Sequence, residues 1–178
     1  NVLHPDFETL LDSKKINADE KIRLTTLSIG AIIPDKFMEL AEKNEKCYAF
    51  YPHSIYQKYG VHLDGIKMDE WYDKLANDDE IEKKEINPRE LLTRIAQTQQ
   101  ESGYPYVVFI DSANEQHTLK DVGMIKMSNL CCEIFQYQTP SDIKGYGQVS
   151  DWGQDISCNL GSLNIANVMY NKDIEKTI

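Results

Sequence analysis

A helix marked at both ends, followed at once by an unbroken β-favouring run, limits what this chain can fold into more tightly than any other stretch. Asn87 suits an N-cap, Pro88 suits the first helical position, and Glu90 stands three residues after the cap, where it can bond back. Leu91, Leu92, Ile95, Ala96 and Gln99 line one face, and Gly103 with Pro105 ends the helix. Tyr106-Val107-Val108-Phe109-Ile110 then reads as a strand covered on both sides. The pair predicts an α/β fold.

The same alternation runs upstream. Pro5 suits the first turn of a helix continued by Phe7, Leu10 and Leu11. Leu27, Ile29, Ala31 and Ile33 recur with a period of two, as in a half-buried strand. Pro34 starts another helix, with Phe37, Met38, Leu40 and Ala41 on its inner side, and Cys47-Tyr48-Ala49-Phe50-Tyr51 predicts a short strand before Pro52. Residues 68–85 are charged, with Trp71, Tyr72 and Leu75 as anchors, and read as a surface helix and a loop. Alternation from Pro5 to Asp111 favours parallel strand pairing. At 178 residues, 41% of them hydrophobic, one domain with a packed core is expected, and no internal repeat interrupts it.

A net charge of -10 and a pI near 4.8 argue against a basic groove for nucleic acid or an anionic membrane surface. No stretch approaches the roughly 20 apolar residues that span a bilayer. The first eleven residues lack the basic start and apolar centre of a signal peptide. Cysteines at 47, 131, 132 and 158 are too few and too uneven for a secreted disulfide framework, so a reducing, cytoplasmic setting is expected. The chain opens at Asn1 without an initiator methionine and closes on Asn171-Lys172-Asp173-Ile174-Glu175-Lys176, as an excerpt from a larger protein would.

Chemistry concentrates further on. The segment from Ser112 to Gly153 carries glycines, prolines and polar residues around a thiol motif, which is expected on a loop or short strand held by the sheet, a usual setting for reacting groups. Within it, Ser128-Asn129-Leu130-Cys131-Cys132-Glu133 sets an amide, a thiol and a carboxylate at positions 129, 131 and 133. In extended backbone all three leave on one face. Cys158 follows in a segment that could bring it back beside the first thiol.

Plainer roles stand beside these. Cys131 and Cys158 could be small core hydrophobes, Glu133 a surface carboxylate and Asn129 a turn residue. Cys47, at the start of an aromatic strand, fits the core role better. A zinc-binding structural module could use Cys131, Cys132, Cys158 and a histidine. It is disfavoured because adjacent cysteines replace the usual gap between paired ligands, and His4, His53, His62 and His117 are scattered. Tyr104 and Tyr106 read as packing residues, Asn77-Asp78-Asp79-Glu80 as a solvated loop, and residues 159–164 as the cap of a following helix.

Asn129-Leu130-Cys131-Cys132-Glu133 and Asp155-Ile156-Ser157-Cys158-Asn159-Leu160-Gly161-Ser162-Leu163-Asn164 resemble the active-site loop and redox-cysteine strand of the large, catalytic (alpha) subunit of class I ribonucleotide reductases. Asn17-Ala18-Asp19-Glu20-Lys21-Ile22-Arg23, Glu101-Ser102-Gly103-Tyr104-Pro105-Tyr106 and Met127-Ser128-Asn129-Leu130-Cys131 are similar to the class Ib branch. The resemblance covers nearly the whole chain, with residues 64–86 least distinctive. It implies that residues 1–178 are a central portion of the catalytic domain, part of a ten-stranded α/β barrel with Cys131 on a central finger loop.

The implied activity is that of a ribonucleoside-diphosphate reductase, which makes deoxyribonucleotides by thiyl-radical chemistry. Cys131 would carry the radical, Glu133 would be the general base, and Asn129 would hold the sugar hydroxyls. Leu130 and Cys132 would complete the substrate-binding stretch, and Cys158 would be half of a reducing dithiol. No cofactor or metal is expected on this segment. The radical would come from the dimetal-tyrosyl cofactor of a separate small (beta) subunit, and electrons from a thioredoxin- or glutaredoxin-like protein. Nucleotide effectors such as ATP would bind elsewhere on a homodimeric parent.

The second reducing thiol, the phosphate-binding loop, the radical-relay tyrosines and the tail cysteines would lie outside the chain. The isolated chain is therefore expected to be inactive. One position departs from the family pattern. Cys132 stands where the resemblance implies a small hydroxyl residue, with its side chain expected to point away from Cys131 and adventitious oxidation beside the reactive sulfur as the hazard.

Overall fold

A computed structural model describes residues 1–171, and the charged stretch from Lys172 onward lies outside the described residues. In chain order the elements are α1 (Phe7–Asp12), β1 (Gly30–Ile33), α2 (Asp35–Lys43), β2 (Cys47–Phe50), α3 (Pro52–Tyr59), a 3-10 turn at Leu63–Gly65 and α4 (Met68–Ala76). β3 (Lys83–Ile86), α5 (Pro88–Ser102), β4 (Tyr106–Phe109), α6 (Ile110–Gln116), β5 (Asp142–Gly145), β6 (Gln148–Asp151) and α7 (Ile165–Asn171) follow. The architecture is mixed α/β. Among the described residues, no helix is long and apolar enough to cross a membrane.

Helix α5 forms as its sequence dictates. Asn87 Oδ1 accepts the Glu90 amide at 3.0 Å, and Gly103, at φ 77°, closes the last turn in the left-handed region that glycine adopts without strain. The chain then returns as β4, which pairs parallel with β1, Gly30 facing Tyr106 and Ile32 facing Val108. Strand periodicity divides this ribbon into two faces. Ala31, Ile33 and Val107 join the core with Phe37, Leu40, Leu91 and Ile95. Gly30, Ile32, Tyr106 and Val108 look the other way.

The second strand pair corrects an expectation. β2 pairs antiparallel with β3, Cys47 facing Ile86, so the alternation of elements does not make every pair parallel. Lys83-Lys84-Glu85-Ile86 carries one apolar side chain and no β signature, yet it supplies hydrogen-bond partners to the buried backbone of β2. Lys83 also ends α4, its ammonium donating to the carbonyls of Ala76 at 2.6 Å and Asp78 at 3.0 Å. Residues 2 and 3 tie the two ribbons together: the Val2 amide donates to Ile32 O at 3.0 Å, and Leu3 O accepts the Phe50 amide at 2.9 Å.

The remaining elements differ in how far the sequence announces them. α3 starts on Pro52 and stops at Gly60, whose φ is 66°. α6 begins at Ile110, directly after β4, where the sequence suggested that the strand continued. Within residues 112–153, β5 and β6 form a hairpin. Gly153 closes its base: a Cβ there would lie 2.0 Å from Thr139 O, so the backbones meet too closely for any other residue. Asn164 caps α7 as expected, its Oδ1 accepting the Asn167 amide at 3.1 Å.

An ionic clamp fastens α1 to α5 and β3. Arg94 donates to Glu8 Oε1 at 2.7 Å and Asp12 Oδ1 at 2.8 Å, and Lys84 reaches Glu8 Oε2 at 2.6 Å. The Lys84 hydrogen bond, opposed by partial burial and assisted by the Lys84 and Arg94 charges, holds the Glu8 carboxyl below the usual carboxylate range.

Two outcomes follow for the fold. Phe37 is fully buried, so Phe37→Ala should cost about 3–5 kcal/mol in urea unfolding; a loss below about 1 kcal/mol would place this ring outside the core. Because the Glu8 pKa is depressed on folding, its contribution is present at neutral pH and fades as pH falls through the depressed value. Thermal melts of wild type and Glu8→Gln should therefore differ at pH 7 and converge below about pH 4. A gap that widens on acidification would contradict the clamp.

Candidate active site

The segment carrying the thiols is a turn, not a strand. The Cys132 amide donates to Asn129 O at 3.1 Å, and Cys132 sits in the left-handed region at φ 56°. The expectation that Asn129, Cys131 and Glu133 leave one face of extended backbone is thereby corrected. Side-chain bonding by Asn129 competes with strand geometry. Its Oδ1 accepts the amides of Glu133 and Ile134, both at 3.1 Å, while its Nδ2 donates to Glu133 Oε1 at 2.7 Å. Ser128 closes the base of the loop, its hydroxyl donating to Ile134 O at 2.7 Å. The amide and the carboxylate thus meet by wrapping around the cysteines rather than by alternation.

The turn rests on the outer face of the β1–β4 ribbon. A Cβ added at Gly30 would lie 3.3 Å from Cys132 Sγ, so the absent side chain leaves the seat for that sulfur. A cleft of about 290 Å³ separates loop from sheet, lined by Ser28, Gly30, Ile32, Val108 and residues of the loop itself. Asn129, Leu130 and Cys132 line this cleft; Cys131 and Glu133 do not, and both are exposed. Cys158 is exposed on the irregular stretch before α7 and takes no part in lining the cleft. Cys47 is fully buried, and burial pushes its thiol up to about 11 against weaker hydrogen bonds from Tyr72 and the Tyr48 backbone, which suits a core role.

Sequence reasoning missed Lys14 and the polar contacts of two tyrosines that it read as packing residues. Lys14 is buried, its ammonium bound to the carbonyls of Leu24 and Leu27 and set 4.5 Å from the centre of the Tyr104 ring. Tyr104 bonds Ser28 at 2.9 Å and meets Tyr106 edge to face at 5.2 Å. The Tyr104 charge and hydrogen bond, with smaller effects of burial and of Cys131 and Cys132, push the Tyr106 phenol up. One signal was available for Gly30, because an isolated glycine within a strand period marks close approach by something else.

The zinc module finds no support. Among the described residues, Asp35, Asp69 and Asp111 are the group of three whose ligand atoms lie within 4.8 Å of one another, and no cysteine belongs to it. Within that group Asp111 serves the fold. Its Oδ2 accepts the Asp35 amide at 2.8 Å, capping α2 where Pro34 offers no side-chain acceptor.

A family model described as "Ribonucleotide reductase, barrel domain" matches residues 1–178. The chain belongs to that family. It is 49% identical over 178 residues to the ribonucleoside-diphosphate reductase subunit alpha of Bacillus subtilis (strain 168), covering 100% of this chain and 25% of that protein. The corresponding subunit of Mycoplasma genitalium is 46% identical over 166 residues (93% of this chain, 23% of that protein), and that of Synechocystis sp. 32% over 175 residues (94% and 21%). The chain thus spans about a quarter of the length of these relatives.

Asn129→Ala removes three of the hydrogen bonds that shape the turn, each worth about 0.5–1.5 kcal/mol. Amide exchange at Glu133 and Ile134 should then accelerate by at least about tenfold in the full-length protein. Unchanged protection would mean that the turn is held by something else.

Proposed function

We propose that this chain is the part of a ribonucleoside-diphosphate reductase catalytic subunit that presents the reacting thiol to the ribose, as part of a ten-stranded barrel with Cys131 on its central finger loop. What carries the reading is the Asn129–Glu133 hydrogen bond around Cys131, in a chain that the family matches from end to end. Residues 1–178 are a central portion of the catalytic domain, working in the cytoplasm.

The radical is supplied by the dimetal-tyrosyl cofactor of a separate small subunit. As a thiyl, Cys131 takes the hydrogen from ribose C3′, forming S–H and leaving the unpaired electron on carbon; the two bonds are close in strength, so the step reverses readily. Glu133 accepts the 3′-hydroxyl proton, and the 2′-hydroxyl leaves as water, taking up a proton from the dithiol that includes Cys158. Asn129 aligns both hydroxyls, since its amide donates and accepts. Besides that proton, Cys158 and a second thiol from outside the chain give one hydrogen to C2′ and, as they close to a disulfide, one electron to the sugar, while Glu133 returns its proton to the 3′-oxygen. A thioredoxin- or glutaredoxin-like protein then reduces the disulfide. Cys131 finally returns its hydrogen to C3′. The Asn129–Glu133 bond holds the base and the hydroxyl-binding amide in one geometry before substrate arrives, so less ordering is left for the reacting complex. Nucleotide effectors bind the homodimeric parent elsewhere.

The test is turnover of the full-length subunit with its radical-generating partner. Cys131→Ser should abolish reduction of a ribonucleoside diphosphate, and Glu133→Gln should lower kcat by about 10²–10⁴-fold, the range for general-base loss. Substantial turnover in Cys131→Ser would refute the assignment.

A further inference from the structure

Cys132 has no part in the reduction just described, yet it follows Cys131 directly within a turn. Extended backbone would send successive side chains to opposite faces. The Asn129–Cys132 hydrogen bond and the φ of 56° at Cys132 remove that alternation. The two thiols are also unlike. Cys131 is exposed, whereas Cys132 is half-buried against Gly30. We propose that Cys131 and Cys132 form a peroxide-responsive dithiol, joining as a vicinal disulfide that withdraws Cys131 from reaction reversibly.

The steps balance. The Cys131 thiolate attacks hydrogen peroxide; an S–O bond forms, the O–O bond breaks, and the leaving hydroxide takes up a proton as water. The resulting sulfenic acid is attacked by the Cys132 sulfur; an S–S bond forms, the S–O bond breaks, and a second water leaves with the Cys132 proton. The two thiols have together given two electrons to one peroxide. Exposure makes Cys131 the first target. Burial first, then the Glu133 and Cys131 charges, push the Cys132 thiol up, which keeps Cys132 from competing for the oxidant.

Reversal is built into the covalent geometry. Neighbouring Cα atoms across a trans peptide are about 3.8 Å apart, shorter than the roughly 4.4–6.8 Å of ordinary disulfides. The bond is therefore strained and readily reduced. Without Cys132, the sulfenic acid loses the thiol of its own turn and proceeds to the irreversible sulfinic state. A site that admits a nucleotide admits peroxide, so the second cysteine protects the sulfur most at risk.

The full-length protein would be treated with hydrogen peroxide, its remaining thiols alkylated, and the tryptic peptide 127–144, which carries both cysteines, weighed. The expected peptide is unalkylated, lighter by two hydrogens, and restored by dithiothreitol. In Cys132→Ser the peptide should gain two oxygens on Cys131 and resist dithiothreitol. Turnover recovered after reduction, relative to each protein's own untreated rate, should fall on the order of tenfold from wild type to Cys132→Ser. A wild-type peptide that stays fully alkylated, is linked to Cys158, or carries oxygens on Cys131 would overturn the proposal. Its effect on turnover rests on Cys131 being the reacting thiol, but the peptide mass does not, so failure of one reading is distinguishable from failure of the other.

Discussion

Parallel pairing of β1 with β4 is the constraint on which the rest of the structure depends. It gives the molecule a ribbon with two chemically different faces: Ala31, Ile33 and Val107 toward the helices, Gly30, Ile32 and Val108 toward the thiol loop. The inner face is apolar because α2 and α5 cover it. The outer face carries a glycine where the loop comes closest. One ribbon thus serves as both the wall of the core and the floor beneath the reactive segment.

On that floor a single side chain, Asn129, sets the geometry of the thiol loop. It bonds two backbone amides and the Glu133 carboxylate, so the shape of the turn and the placement of the carboxylate have the same origin. An aspartate here could accept the amides but would repel Glu133, and a leucine could do neither. The Asn129 amide both folds this loop and holds the acid.

How much of this was legible follows from where local and distant forces agree. The helix from Pro88 could be read at both ends because its cap, first-turn proline and closing glycine act within a few residues. β4 could be placed from its β-favouring run, but the expectation that it is covered on both sides fails: Val108 is buried, whereas Tyr106 and Phe109 are exposed. β3 could not: Lys83, Lys84 and Glu85 adopt strand geometry for the sake of β2, and nothing local signals a partner. The identity of the candidate residues was visible in the order of Asn129, Cys131 and Glu133, but their arrangement was not. Alternate positions share a face in extended backbone alone, and here the asparagine bends the chain. The seat under Cys132 escaped notice because it is made by a missing side chain on a distant strand.

The separation along the chain of the two paired strands bears on how this molecule assembles. α2, β2, α3, α4, β3 and α5 all lie between β1 and β4, so registering that ribbon means closing a long loop whose entropy must be overcome before its contacts give anything back. The capped α5 and the β2–β3 pair, which are closer in sequence than β1 and β4, draw on more local contacts and have the earlier start. The floor beneath the thiol loop is then among the last surfaces to exist during folding, and the sulfurs above it reach their final setting when the intervening helices have already condensed.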